Sequence, residues 1–134
     1  MITVYVKKKS NYPVSSPKMK NHLRDFLSQK GIVSDADVSL AFVGEKEMLE
    51  LAKKYLKETN ILHNVLSFPY SEGEGVGVDK KFLYPPDDTL HLGEIVICYP
   101  KVVDEAKKED KLIDDRVLEL VEHGALHLLG EHHK

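Results

Sequence analysis

The chain has 134 residues, which is enough for one compact domain and too few for two of ordinary size. Hydrophobic residues make up 42% of it and charged residues 31%, a balance typical of a globular protein and unlike that of a disordered chain. With 19 basic and 22 acidic residues the net charge is -3, which excludes the domain-wide positive field of many nucleic-acid binders, so any contact with RNA requires a local patch.

Cysteine content and apolar runs limit the class of protein further. Cys98 is the only cysteine, which excludes an internal disulfide and a multi-cysteine zinc site and fits a reducing compartment. It lies in the apolar run 95–99, where a small buried side chain is expected. No stretch approaches the ~20 apolar residues of a membrane span, and residues 1–9 lack the apolar middle of a signal peptide. We expect a cytoplasmic protein without a membrane partner.

The first half of the chain alternates strand and helix patterns. Residues 2–6 are β-branched and aromatic, which predicts a strand. Residues 18–30 carry apolar side chains at helical spacing and predict the first helix. Residues 37–43 predict a second strand and residues 45–57 a second helix.

The second half has two apolar strands and two helices. Residues 64–69 and 92–98 predict the third and fourth strands, and Pro69 confines its strand to a sheet edge or marks its end. Residues 71–91, rich in Gly and Pro, predict a long loop. Helices are predicted at 101–108 and 114–129. The whole chain, 1–134, is therefore predicted to be one α+β domain with a small mixed sheet of about four strands and helices packed on it.

Four of the seven histidines lie in the last twelve residues. His123 and His127 are one helical turn apart, about 40° around the axis, so both imidazoles can approach one point. Gly130 then permits the chain to turn back and bring His133, or its neighbour His132, to the same point. Three imidazoles with one open position are the ligand set of a catalytic zinc site.

Two alternative interpretations apply to this cluster. A histidine beside the apolar stripe of a helix can belong to the edge of the core, although two at this spacing with a third after Gly130 favour a metal. Residues 131–133 also echo an expression tag, but no longer histidine run follows. The spacing is that of the metzincin peptidases, H-E-x-x-H-x-x-G-x-x-H, except that Gly124 replaces their catalytic glutamate, which disfavours peptide hydrolysis.

Three motifs follow one another in this sequence: N-V-L-S-F-P at 64–69, L-G-E-I-V-I at 92–97 and H-G-A-L-H-L-L-G-E-H-H at 123–133. They resemble, in the same order, the D/N-V-L-S-F-P, L-G-D-I-x-I and H-G-x-L-H-L-x-G-F/Y-D-H signatures of the YbeY family of bacterial endoribonucleases and ribosomal RNA maturation factors. The resemblance implies a zincin-like α+β domain that binds one Zn2+ through His123, His127 and His133. It implies cleavage of single-stranded RNA in the maturation of the small-subunit ribosomal RNA 3' end, with the small subunit or assembly factors as partners.

This sequence departs from the family at three places. Glu131 and His132 replace the aromatic residue and the aspartate before the third histidine, so His132 competes as a ligand. The arginine of the family's Y-R-x-x-D/N pattern is absent, and Lys57 is the nearest cation for a phosphate. The chain ends one residue after His133, where fraying would weaken the metal site.

No second catalytic group is obvious. Glu94 and Glu131 are the candidates for proton transfer or for supporting a ligand, and Lys57 for contacting phosphate. Ser67 is interpreted as structural or as a polar RNA contact, and Phe68 and Tyr70 as possible stacking partners for a base. Two alternatives to the nuclease remain: a non-catalytic, metal-stabilised assembly factor, and a zinc hydrolase with a substrate other than RNA.

Overall fold

The structure, a computed structural model, describes residues 1–70 and 89–130. The first half contains two strand–helix pairs. These are β1 (Ile2–Lys8), α1 (Ser16–Gln29), β2 (Ala36–Val43) and α2 (Glu45–Leu56). The second half adds two strands and two helices. These are β3 (Val65–Pro69), β4 (Leu90–Cys98), α3 (Tyr99–Lys108) and α4 (Ile113–Leu128).

The four strands form one mixed sheet in the order β1-β2-β4-β3. β1 and β4 both pair with β2 in parallel, and β3 pairs with β4 in antiparallel fashion. The prediction of a small α+β fold with four strands is therefore confirmed. β3 lies at the edge of the sheet and ends at Pro69, as the proline required.

Two helices begin earlier in the chain than predicted, and each has a proline in its first turn. Ser15 caps α1 by accepting a hydrogen bond from the Lys18 amide at 3.3 Å, and Pro17 lies in the first turn, so the helix begins before residue 18. Pro100 likewise lies in the first turn of α3 rather than before it. Proline is tolerated there because the first helical N–H groups have no partner inside the helix.

The predicted loop 71–91 is wrong at its end, because Leu90 and His91 already belong to β4. The rest of that loop, residues 71–88, lies outside the described residues. A bulge follows in β4, where Asp37 pairs with His91 and Val38 with Gly93. Gly93 has φ +132°, and a Cβ there would lie 2.3 Å from the Phe68 carbonyl oxygen, so only glycine fits.

The sheet has two unlike faces. α1, α3 and α4 cover one, which we call the three-helix face, and its buried core includes Leu23, Leu40, Ile95 and Val117. On the other, the one-helix face, α2 buries a smaller cluster of Ala41, Val43, Met48, Val96 and Cys98. Cys98 is buried as expected, and burial raises the pKa of its thiol.

Candidate metal site

α4 carries the two described histidines of the terminal cluster. Asp114 and Asp115 lie in its first turn, where acidic side chains stabilise a helix by interacting with the positive end of its dipole. Near its other end, the Nε2 atoms of His123 and His127 are 3.0 Å apart, and the ring centroids are 4.4 Å apart. The helix thus brings the two imidazoles to one point, as their spacing of four residues predicts.

The position of α4 depends on a glycine. A Cβ at Gly124 would lie 2.7 Å from Ile95 Cγ2 and 3.1 Å from Ser67 Oγ. Gly124 therefore lets α4 pack closely against β3 and β4. The Ser67 hydroxyl donates a hydrogen bond to the Gly124 carbonyl oxygen at 3.3 Å, so Ser67 joins the edge strand to the helix beside both histidines.

A polar cluster fixes the other end of β3 to the same helix. Glu105 of α3 accepts hydrogen bonds from the Arg116 Nη2 at 3.0 Å and from the Asn64 side-chain amide at 3.2 Å. Arg116 also donates to Glu119 at 2.9 Å. Arg116, Asn64, Val65 and His123 line one shallow cleft along α4.

Sequence reasoning missed this cluster. One signal was present, because Arg116 precedes His123 by seven residues, about two helical turns, and therefore lies on the same side of α4. The participation of Glu105 and Asn64 depends on how α3 and β3 pack, which local patterns do not encode.

The histidine pair fits a zinc ion. Two nitrogens bound to zinc at ~2.0–2.1 Å with tetrahedral geometry are about 3.3 Å apart. The observed Nε2–Nε2 distance of 3.0 Å is close to that value and requires only a small opening of the pair. In residues 1–70 and 89–130 no group of three or more His, Cys, Asp or Glu side chains could hold a metal. His132, His133 and Glu131 lie outside the described residues.

Glu94 does not lie beside the histidine pair. Its neighbours Ile95 and Val96 belong to the cores of the three-helix face and the one-helix face respectively. By alternation the Glu94 side chain points to the one-helix face, where it is 3.7 Å from the Lys7 ammonium. It lines a groove there with Tyr55 and Phe68.

Lys57 lies at the end of α2, the helix of the one-helix face. It has φ 60° and closes α2 with its backbone N–H on the Ala52 carbonyl oxygen. Its side chain is exposed. The structure thus does not group Lys57 or Glu94 with the two histidines of α4.

The aromatic residues near β3 differ in exposure. Phe68 packs against the small core of the one-helix face and contacts Tyr55, with ring centroids 5.1 Å apart. Tyr70 is 43% exposed and contacts the His91 ring. Tyr70 therefore presents the more accessible ring, and both lie on the side of the sheet opposite α4.

The fold and the histidine pair define a class: small α+β proteins with two histidines one turn apart on a helix that packs against an edge strand. The family model described as "Endoribonuclease YbeY" matches residues 5–134. The chain belongs to the YbeY family, whose members are named endoribonucleases, a kind of hydrolase.

Named relatives agree with this assignment. The chain is 32% identical to "Endoribonuclease YbeY" of Dehalococcoides mccartyi over 99% of this chain and 78% of the relative. It is 35% identical to the Bartonella quintana protein of the same name over 92% of this chain and 70% of the relative. For the Thermodesulfovibrio yellowstonii protein the identity is 38%, over 72% of this chain and 54% of the relative. The chain thus spans about half the length of that last relative.

A solved structure supports the fold. The solution structure of a Thermotoga maritima protein superposes with a TM-score of 0.58 at 24% identity, over 98% of this chain and 75% of the other. This similarity concerns the fold alone. Among the helices of the described residues, none is long and apolar enough to cross a membrane.

Proposed function

We propose that this chain is a zinc-dependent endoribonuclease that cuts single-stranded RNA during maturation of the small-subunit ribosomal RNA 3' end. Membership of the YbeY family supports the reaction class. The observation in the chain itself that carries the proposal is the His123–His127 pair, with its Nε2 atoms 3.0 Å apart beside an edge strand.

His123 and His127 would hold one zinc ion per chain, with His133 as the third ligand and His132 as its competitor. A zinc ion held by these residues would supply Lewis-acid chemistry for phosphodiester hydrolysis.

The other residues of the site would position the RNA. A phosphodiester held beside the histidine pair would lie along the outer side of β3, because Val65 lines the same cleft as His123. Glu131, two residues before His133 in the sequence, is the candidate for proton transfer. Lys57 is kept as a candidate for contacting a phosphate outside the cleavage site, since it ends α2 on the one-helix face. Glu94 is left out of the cleavage site, since its side chain is on the one-helix face.

The proposed setting is the cytoplasm, with single-stranded ribosomal RNA as substrate and the ribosomal small subunit or its assembly factors as partners. This setting rests on the family resemblance. With a net charge of -3 the chain has no overall attraction to RNA, so binding would depend on local contacts.

The test compares zinc-loaded parent protein with two alanine variants on matched single-stranded and duplex RNA. We expect cleavage of the single strand by the parent and by His91→Ala, whose ring pairs with Asp37 at 2.8 Å on the one-helix face. His127→Ala is expected to lose cleavage and bound zinc while keeping its fold. Zinc content is measured by elemental analysis and the fold by circular dichroism.

Three outcomes would contradict the proposal. An inactive parent with full zinc content points to the assembly-factor alternative, particularly if chelation unfolds the protein. Turnover of a peptide substrate but not of RNA points to another hydrolase. Cleavage by His127→Ala at the rate of the parent excludes the metal site as its origin.

A further inference from the structure

Along the edge strand β3, residues whose backbone groups bond to β4 alternate with residues whose backbone groups point away from it. The Cys98 amide donates to the Asn64 carbonyl oxygen at 2.9 Å, and the Tyr70 amide donates to the Leu92 carbonyl oxygen at 3.1 Å. Both residue pairs are in register with the ladder that joins Val65 to Ile97. In an antiparallel ladder the residues that bond to the partner strand alternate with residues that point away from it. The even-numbered residues of β3 therefore bond to β4, and the odd-numbered residues point outward.

Only two of the outward residues can donate a hydrogen bond. They are Val65 and Ser67, because Pro69, the third, has no N–H. β3 is the last strand of the sheet, and these two amides have no backbone partner within the described residues. They are separated by two residues of extended chain, about 7 Å, and face the same direction.

These amides border the candidate metal site. Val65 lines the cleft that contains His123, and the Ser67 hydroxyl bonds to the carbonyl of Gly124, which is adjacent to His123. Gly124 faces the sheet, and His123 and His127 are rotated from it toward the β3 edge, by about 100° and 60° around the helix. The outward N–H groups and the two imidazoles therefore border the same space.

We propose that the Val65 and Ser67 amides bind phosphate oxygens of the single-stranded RNA backbone beside the cleavage position. The inference rests on the proposed function and assigns to that site a specific binding element. Backbone N–H groups suit the task because they recognise phosphate irrespective of base and need no net positive charge. Such an edge would also favour single-stranded RNA over a duplex, because one line of hydrogen-bond donors contacts one RNA backbone and needs no second RNA strand.

Proline provides a sharp test, because it removes an N–H and is tolerated at the edge of a sheet. Val65→Pro is paired with Val6→Pro, a matched control on the opposite edge. In β1 the Lys9 amide bonds inward to Phe42 and the Ile2 carbonyl bonds outward to Arg24, so by alternation Val6 also points outward. Both valines are partly buried against the larger core.

Binding is measured by fluorescence anisotropy with a single-stranded 2'-O-methyl oligoribonucleotide, and electrophoresis checks that the probe stays intact. We expect Val65→Pro to raise the Kd about tenfold, the effect of one hydrogen bond to a charged group, and Val6→Pro to leave it unchanged. Ser67→Pro, which also removes an outward N–H, is expected to raise the Kd by a similar factor.

Zinc content and thermal unfolding of each variant are measured alongside. Where a proline variant does not fold, replacement of the residue 67 amide by an ester removes the N–H alone and decides the question. Parent-like affinity in folded Val65→Pro and Ser67→Pro, or in the ester, overturns the inference while leaving the nuclease intact. A parent that neither binds nor cuts RNA overturns the proposed function itself.

Discussion

The two faces of the sheet differ in how completely they are covered. On the three-helix face, three helices bury a continuous apolar core, and α4 approaches so closely that a Cβ at position 124 would lie 2.7 Å from Ile95 Cγ2. On the one-helix face α2 covers a small cluster, and the rest carries polar pairs such as Lys7–Glu94 and Asp37–His91. His123 and His127 thus stand on the closely packed side, on a helix whose position is fixed by the core.

The largest difference between the faces is expected from their histidines. His127→Ala should reduce cleavage by more than about 100-fold, since loss of even a residue that supports a metal ligand costs 10–100-fold. His91→Ala, on the one-helix face, should change the rate less than about twofold. Rates are measured under single-turnover conditions. Equal losses of cleavage rate in the two variants would mean that cleavage does not depend specifically on the three-helix face.

The close packing of α4 is tested by Gly124→Ala. The added methyl would meet Ile95 Cγ2 at 2.7 Å, so we expect a loss of about 1–3 kcal/mol in unfolding free energy despite the better helix propensity of alanine. Urea titration gives the value. The double variant Gly124→Ala/Ile95→Ala should be more stable than the sum of the single effects predicts, and simple additivity would contradict a steric cause.

The polar cluster at the start of α4 should have a smaller effect. Arg116→Met leaves Glu105 without its main partner in a half-buried position, and we expect a loss of about 1–2 kcal/mol in unfolding free energy. The control Lys18→Met removes an exposed ion pair with Asp114 and should cost less than about 0.5 kcal/mol. If the two variants were equally stable, the cluster would not hold β3 to α4.

The smallest effect concerns an exposed carboxylate. Hydrogen bonds from Lys111 and then from Arg116 hold the pKa of Glu119 below its ordinary value. The stability that these hydrogen bonds add to the folded state is therefore present above the unfolded-state pKa of Glu119 and is lost as the pH falls through its folded-state pKa. Comparing the acid limb of the stability–pH curve with that of Glu119→Gln checks this. Because the group is exposed, ~1 M salt should remove most of the difference.

Several features followed directly from local sequence patterns. Pro69 indicated that its strand lies at a sheet edge or ends there, because proline cannot donate a hydrogen bond to a second neighbour, and β3 is an edge strand that ends at Pro69. His123 and His127 indicated adjacent rings because helix geometry leaves positions four residues apart on one side. Both inferences depend only on the nearby backbone, which explains their success.

Other features depend on contacts between distant segments. The distance of Glu94 from the histidines was not predictable, because it depends on which face of the sheet α4 covers, although alternation with Ile95 and Val96 places its side chain once the faces are known. The Asn64–Glu105–Arg116 cluster requires β3, α3 and α4 to meet, and no local pattern encodes that meeting. The roles of Glu131, Lys57 and His133 stay predictions.

X-ray absorption at the zinc edge of the zinc-loaded protein tests most directly whether imidazoles of α4 bind a metal. The account predicts one zinc ion per chain, bound by about three imidazole nitrogens at ~2.0–2.1 Å. In His123→Ala it predicts fewer imidazole nitrogens around the zinc and weaker zinc binding. A shell of oxygen ligands only, or a spectrum identical in His123→Ala, would contradict it.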